Sequence, residues 1–347
     1  MEQSVINKVR VSFDAYFFSR ANLVSVGILR IILVLYFMLQ FAGKNLTPFR
    51  DSLLTTLHER SALTTLLGDI LLFPGAPIIF SVAGICALIG LATRPALFIF
   101  GLYTIALTGI SASMGVFDHL WSLVSQVVVI LAFIPGSTNL SADRALSRIL
   151  KMRRGVKLSL SEIFKSPPEQ VWGMRLLLII LACVYFTAGV SKLRYGGFEW
   201  VDGKTLTHYL DGSASTKNGI KPPIYLSSSE VSAEEKWKDG FGLYGYSYGN
   251  RVSSIPARNA GEFIAAHPRL IMFLAMLTVI FELSAFLLLF DKLPRTLYLF
   301  GAIILHTSIG FLMNLDFMPY RMICFLLIDW NWVVGGLGAL KSRRRKD

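Results

Sequence analysis

Lys192 closes a long apolar run, Tyr185-Phe186-Thr187-Ala188-Gly189-Val190-Ser191-Lys192-Leu193, with Trp200-Val201-Asp202-Gly203 following it. An amine beside hydrocarbon admits two chemistries. In one it snorkels, its methylenes on the helix and its ammonium in headgroup water. In the other, desolvation lowers its proton affinity and the neutral amine becomes a general base. The small residues Ala188, Gly189 and Ser191 leave the amine approachable. Two histidines add acid–base capacity. His119, Ser122 and Gln126 recur at helical spacing, as do His306, Gly310 and Asn314, so each set forms one polar stripe. A single histidine in a helix bundle is commonly a satisfied hydrogen-bond partner. Two histidines and a lysine expected on one side of a membrane make a candidate catalytic set: Lys192, His119 and His306. Tyr185, Gln126, Trp200, Asp202 and Gly203 are the candidate substrate contacts around it.

Arg30 and Glu282 also lie inside apolar runs, at similar expected depth. Intramembrane charges usually pair, so an Arg30–Glu282 clamp is expected, with a proton path as the other reading. No metal site is expected, since His119 and His306 alone are too few ligands, with a contribution from Asp118 or Asp316 as the other reading. The cysteines Cys86, Cys183 and Cys324 stand singly in apolar segments, which excludes a CxxC redox pair or a metal knuckle.

The elements that must position these groups are membrane helices. Of 347 residues, 54% are apolar or aromatic and 16% charged, a balance foreign to soluble domains. Apolar periodicity predicts an all-α membrane protein with about eight spans, near 23–43, 75–92, 95–114, 119–137, 171–191, 268–290, 294–315 and 319–338. Glu2, Lys8, Arg10, Asp14 and Arg20 precede the first run, so no cleavable signal is expected. The net charge of +12 gathers in the 138–170 loop, at Arg94, at Lys292 and Arg295, and in Lys341-Ser342-Arg343-Arg344-Arg345-Lys346. An even number of spans puts all of these in the cytoplasm with both termini, as the positive-inside rule asks. That distribution reads as membrane topology rather than nucleic-acid binding.

Three regions follow: residues 1–22, a transmembrane domain over 23–338, and a basic tail at 339–347. The 193–267 loop is then extracytoplasmic, and its Phe241-Gly242-Leu243-Tyr244-Gly245-Tyr246-Ser247-Tyr248-Gly249 run is either a lid or an ordinary packed loop. Between residues 141 and 164, Leu146, Ile149 and Leu150 beside arginines and lysines suit a helix on the inner membrane surface, or a partner's docking site.

The pattern Tyr-Phe-x-Ala-Gly-Val-x-Lys-Leu, then Trp-Val-Asp-Gly, resembles the membrane core of vitamin K-dependent γ-glutamyl carboxylases, within the HTTM (horizontally transferred transmembrane) family. Leu91-Ala92-Thr93-Arg94, Asp118-His119-Leu120, Leu305-His306 with Phe317-Met318, and Arg30 resemble further family positions, in order, across about residues 20–338. The resemblance implies that Lys192 is the base that deprotonates a reduced quinone such as vitamin K, assisted by His119. It implies chemistry with oxygen and carbon dioxide, in which quinol oxidation drives removal of a glutamyl γ-proton. The large outer β-rich region of full-length carboxylases has no counterpart in this sequence, which turns the expected substrate toward a small peptide or a quinol.

Three classes of function follow: a lysine-base membrane enzyme, a non-catalytic accessory presenting a lipid or peptide to a partner membrane subunit, and a transporter. The absence of visibly repeated halves argues against the last. The expected location is a bacterial plasma membrane.

Overall fold

The computed structural model describes residues 2–41, 66, 68–69, 73, 75–113, 119–154, 166–210, 254–313, 315 and 317–335. These form two compact units, one within residues 1–174 and one within residues 175–347. Both are built mainly of helices.

The first unit contains α1 (Glu2–Phe18), α2 (Val24–Phe41), α3 (Ala76–Ile89), α4 (Thr93–Ser113), α5 (His119–Leu131) and α6 (Ala142–Arg153). α4 packs on both α3 and α5, and α2 packs on the same two helices. Leu33, Val34, Phe37, Leu97, Phe100, Val124 and Leu131 fill the space between them. Phe100 anchors that layer, stacked on Phe80 with centroids 4.6 Å apart and edge-on to Phe37 at 6.3 Å. A two-residue antiparallel ladder pairs Arg20 with Gln170 and Ala21 with Glu169.

Polar residues tie this unit together at the turn after α5. Arg30 is fully buried, and its guanidinium donates to the carbonyls of Ser137 and Leu140, each at 2.8 Å. Asp143 accepts from the N–H groups of Ala92 and Thr93 and from the Thr93 hydroxyl, at 2.7–2.8 Å, capping the start of α4. Burial opposes ionisation of Asp143, but these hydrogen bonds and the nearby Arg30 charge hold its carboxyl below the usual range. Arg144 bonds to Thr138, Asn139 and Glu169, and Glu169 also accepts from the Gly136 N–H.

The second unit holds nearly all of α7 (Trp172–Gly196), a 3₁₀ turn Gly197–Trp200, α8 (Lys204–Leu210), α9 (Ile255–Ala265), α10 (Pro268–Leu283) with its 3₁₀ extension Ser284–Leu289, α11 (Leu293–Met313) and α12 (Met318–Leu327). α11 packs on α12 and α9, and α9 also meets α8 and α10. Arg175 grips Asp291 through two hydrogen bonds of 2.6 and 3.0 Å, and Arg295 adds a third contact at 3.2 Å. The Asp291 turn joins α10 to α11, so this triad ties that turn to α7 and to the first turn of α11.

Four helical segments are long and apolar enough to cross a bilayer: Val24–Phe41, Trp172–Arg194, Pro268–Leu289 and Leu293–Met313. They coincide with four of the eight expected spans and point to a membrane protein. Exposed apolar rows agree: Ile78, Val82 and Ile85 on α3, and Phe273, Leu277 and Ile280 on α10, are stripes that water would not tolerate. Of the other expected spans, α4 runs 21 residues without being among these four, and α3, α5 and α12 are shorter helices. α5 stops at Leu131 after 13 residues, about 20 Å at helical rise against a hydrocarbon core of about 30 Å. The expected 319–338 helix breaks at Ile328, which is extended, and Asp329 then caps the Trp332 N–H at 3.1 Å.

Candidate functional site

Lys192 lies one turn before the end of α7, and Tyr185 lies two turns earlier on the same face. α10 reaches that face at Gly189. A Cβ there would sit 3.0 Å from Glu282 Cβ and 3.1 Å from the Leu283 nitrogen, so a larger residue would push the helices apart. The approach lets Lys192 Nζ donate to both carboxylate oxygens of Glu282, each at 2.7 Å. Glu282 retains 9% of its side-chain exposure and Lys192 23%, so Lys192 is the more exposed side chain of the pair. Trp200, brought back by the 3₁₀ turn, places its ring 5.3 Å from the amine, within cation–π range.

This pairing corrects the sequence-based expectation for two charges. Glu282 is taken by Lys192, and Arg30 by the carbonyls of Ser137 and Leu140. Similar depth was a sound reason to expect pairing of some kind. It could not say which cation the fold would deliver to the carboxylate.

The pair also bears on the two chemistries of Lys192. Glu282 lies fourteen residues from the start of α10, about 21 Å along its axis. Seven more residues of the span follow it. Lys192, two residues from the end of its own span Trp172–Arg194, therefore meets α10 within the length of that span, and its amine is engaged by a carboxylate there.

His306 and Tyr185 come together as a second cluster in the same unit. Tyr298, Ala302 and His306 share one buried face of α11. His306 Nε2 lies 2.6 Å from the Tyr185 hydroxyl, which also sits 3.8 Å from Cys324 Sγ. Phe317 stacks on the imidazole at 4.7 Å and Tyr320 tilts against it at 5.2 Å. Phe281, the neighbour of Glu282, stacks on Tyr298 at 4.4 Å and meets Tyr185 edge-on. His306 Nδ1 and the Tyr298 hydroxyl are buried with no hydrogen-bond partner among the described residues. Two idle polar atoms inside an aromatic cage are costly unless something else satisfies them.

Asp202 and Gly203, expected to contact substrate, have local structural roles. Asp202 accepts from the Lys204 N–H at 2.8 Å and pairs with its ammonium at 3.0 Å, opening α8. These bonds hold its carboxyl below the usual range. Gly203 has φ +84°, and a Cβ there would lie 2.8 Å from Ile271 Cγ2, so the turn needs glycine. His119 is the first residue of α5, and Gln126 is exposed on the same helix. Both belong to the first unit, and the His119 side chain lies outside the described residues. Also outside them are Asp118, Asn314, Asp316 and the 241–249 run. Among the described residues no group of three or more His, Cys, Asp or Glu could hold a metal.

The first unit carries an apolar pocket of about 490 Å³, lined by Phe73, Ala76, Ile79, Phe80, Ile99, Leu102, Tyr103 and Asp69, and containing none of the expected site residues. The Arg175–Asp291–Arg295 triad and the Asp143 cap were not foreseen. The Thr93-Arg94-Pro95 start of α4 was a signal that a cap was needed, though not where in the sequence it would come from. Comparison of the chain with known protein families, with characterised proteins and with solved structures finds no match.

Proposed function

We propose that this protein is a membrane-embedded enzyme whose Lys192–Glu282 pair accepts a proton from a quinol-type or peptide substrate, in the manner of vitamin K-dependent carboxylase-like enzymes. The observation that carries this reading is the bidentate pair itself, lodged within the length of a span with Lys192 its more exposed member. A purely structural cation is better served by arginine, whose guanidinium is always charged and forked. Lysine against glutamate makes a couple in which either member can hold the proton.

In this scheme Glu282 holds the lysine proton when substrate displaces water, and the neutral amine then takes the proton of the substrate. Trp200 covers the amine and favours an aromatic or planar group beside it. The aromatic cage around His306, with its idle Nδ1 and Tyr298 hydroxyl, supports a hydrogen-bonding headgroup such as that of a reduced quinone. His119 is the further acid–base group proposed from the resemblance. Eight crossings, cytoplasmic termini and a bacterial plasma membrane belong to the same proposal. So does a small peptide, delivered free or by a partner membrane subunit.

The completeness of the ion pair also favours a second reading, a non-catalytic scaffold that binds a lipid or peptide. Quinol oxidation separates the two. Purified protein in lipid nanodiscs receives reduced vitamin K, oxygen and bicarbonate, with Lys192→Arg alongside. The enzyme reading predicts epoxide or quinone above the protein-free rate, and a loss of about 10²- to 10⁴-fold in the variant. No turnover by the folded unaltered protein would leave the scaffold.

A further inference from the structure

We propose that α6 is a lipid-reading surface that docks its apolar face and basic last turn onto a leaflet containing anionic phospholipid. The proposal is independent of the reading of Lys192. The first turn of α6 is bolted to its own unit. Ser141 caps the Arg144 N–H at 3.2 Å, Asp143 is engaged by Ala92 and Thr93, and Arg144 by Thr138, Asn139 and Glu169. Beyond that turn the helix leaves its packing, and none of its residues is buried. Leu146, Ile149 and Leu150 are 51%, 40% and 45% exposed, and their spacing puts them on one face.

The charges complete the argument. Lys151, Arg153 and Arg154 are exposed at the C-terminal end. The nearby carboxylates Asp143 and Glu169 are already committed, and among the described residues no ion pair involves these three cations. α6 is not among the segments apolar enough to span. Water would strand its leucines and the bilayer centre would strand its cations. The headgroup boundary of an anionic leaflet satisfies both, with the long basic side chains reaching phosphate. Near such a surface each Lys or Arg strengthens association about fivefold.

The test uses the full chain with Cys86→Ala and Cys183→Ala, and a bimane label on Leu150→Cys. The protein is placed in nanodiscs of bromine-labelled phosphatidylcholine, with or without bromine-labelled phosphatidylglycerol. Quenching should be stronger with phosphatidylglycerol and should weaken as salt is raised. The combined Lys151→Gln, Arg153→Gln and Arg154→Gln variant, with its unfolding midpoint unchanged, should lower the docked-to-free ratio about fivefold per charge removed. Absence of quenching in both lipids would overturn the proposal and turn attention to an acidic protein partner. Equal quenching in both, indifferent to the triple substitution, would overturn the anionic selectivity.

Discussion

Arg30 and Lys192 are both cations inside apolar helices, and the two units treat them differently. Arg30 is fully enclosed and donates to two backbone carbonyls, acceptors that cannot take a proton. Lys192 keeps a partly exposed side chain and donates to a carboxylate that can. The first arrangement fixes a charge; the second leaves a proton free to change owner. Burial alone does not separate structural from reactive charge. The identity of the acceptor does.

The comparison breaks first at Arg30. Arg30→Met leaves the Ser137 and Leu140 carbonyls without their charged donor, and should cost about 4 kcal/mol of unfolding free energy. Arg30→Lys should recover only part, because an ammonium lacks the fork that reaches both carbonyls. Urea unfolding in detergent micelles measures both. A loss below about 1 kcal/mol for Arg30→Met would mean that the turn after α5 is held by other contacts.

At the other charge the effect on stability should be smaller. Glu282→Gln keeps the shape and removes the anion, leaving Lys192 a weaker acceptor and some access to water. About 2 kcal/mol is expected by the same assay, together with loss of any quinol turnover. Full activity in this variant would show that Glu282 only places the lysine.

The smallest effect sharpens the picture on the Arg30 side. Asp143 has a folded-state pKa below its ordinary value, because the Thr93 and Ala92 hydrogen bonds and Arg30 outweigh burial. A depressed carboxyl stabilises the fold above its unfolded pKa and loses that contribution as pH falls through the folded value. The thermal midpoint should therefore drop on acidification below the ordinary carboxylate range. Asp143→Asn should flatten part of that drop while costing about 1 kcal/mol at neutral pH. An unchanged acid limb would show that the cap contributes little.

Much of the helical plan was legible because hydrocarbon-length apolar runs are the strongest periodic signal a sequence carries. α2, α7, α10 and α11 lie where those runs predicted them. The fourth and eighth expected spans were less legible: the apolar run continues past Leu131 and Leu327, but the backbone turns there. Apolar composition says that a segment is buried or lipid-facing, not that it stays helical. The lysine and its small neighbours stood out in the sequence, but that Gly189 is where α10 comes close did not. Nor was the partner legible, since helical depth cannot tell which of several helices comes to Glu282. Tyr185 and His306 were each singled out without any means of seeing that they bond to each other, 121 positions apart. Asp202 and Gly203 show the reverse, a motif whose local turn chemistry explains its residues.

The most direct test of the proton-accepting pair is the charge swap Lys192→Glu with Glu282→Lys, scored for both folding and quinol oxidation in nanodiscs. The swap keeps an ion pair in place but moves the amine to the less exposed side of it. The account predicts an unfolding midpoint restored relative to Glu282→Lys alone, with turnover still abolished. Restored folding together with restored turnover would contradict it, because the pair would then matter only as a clamp between α7 and α10.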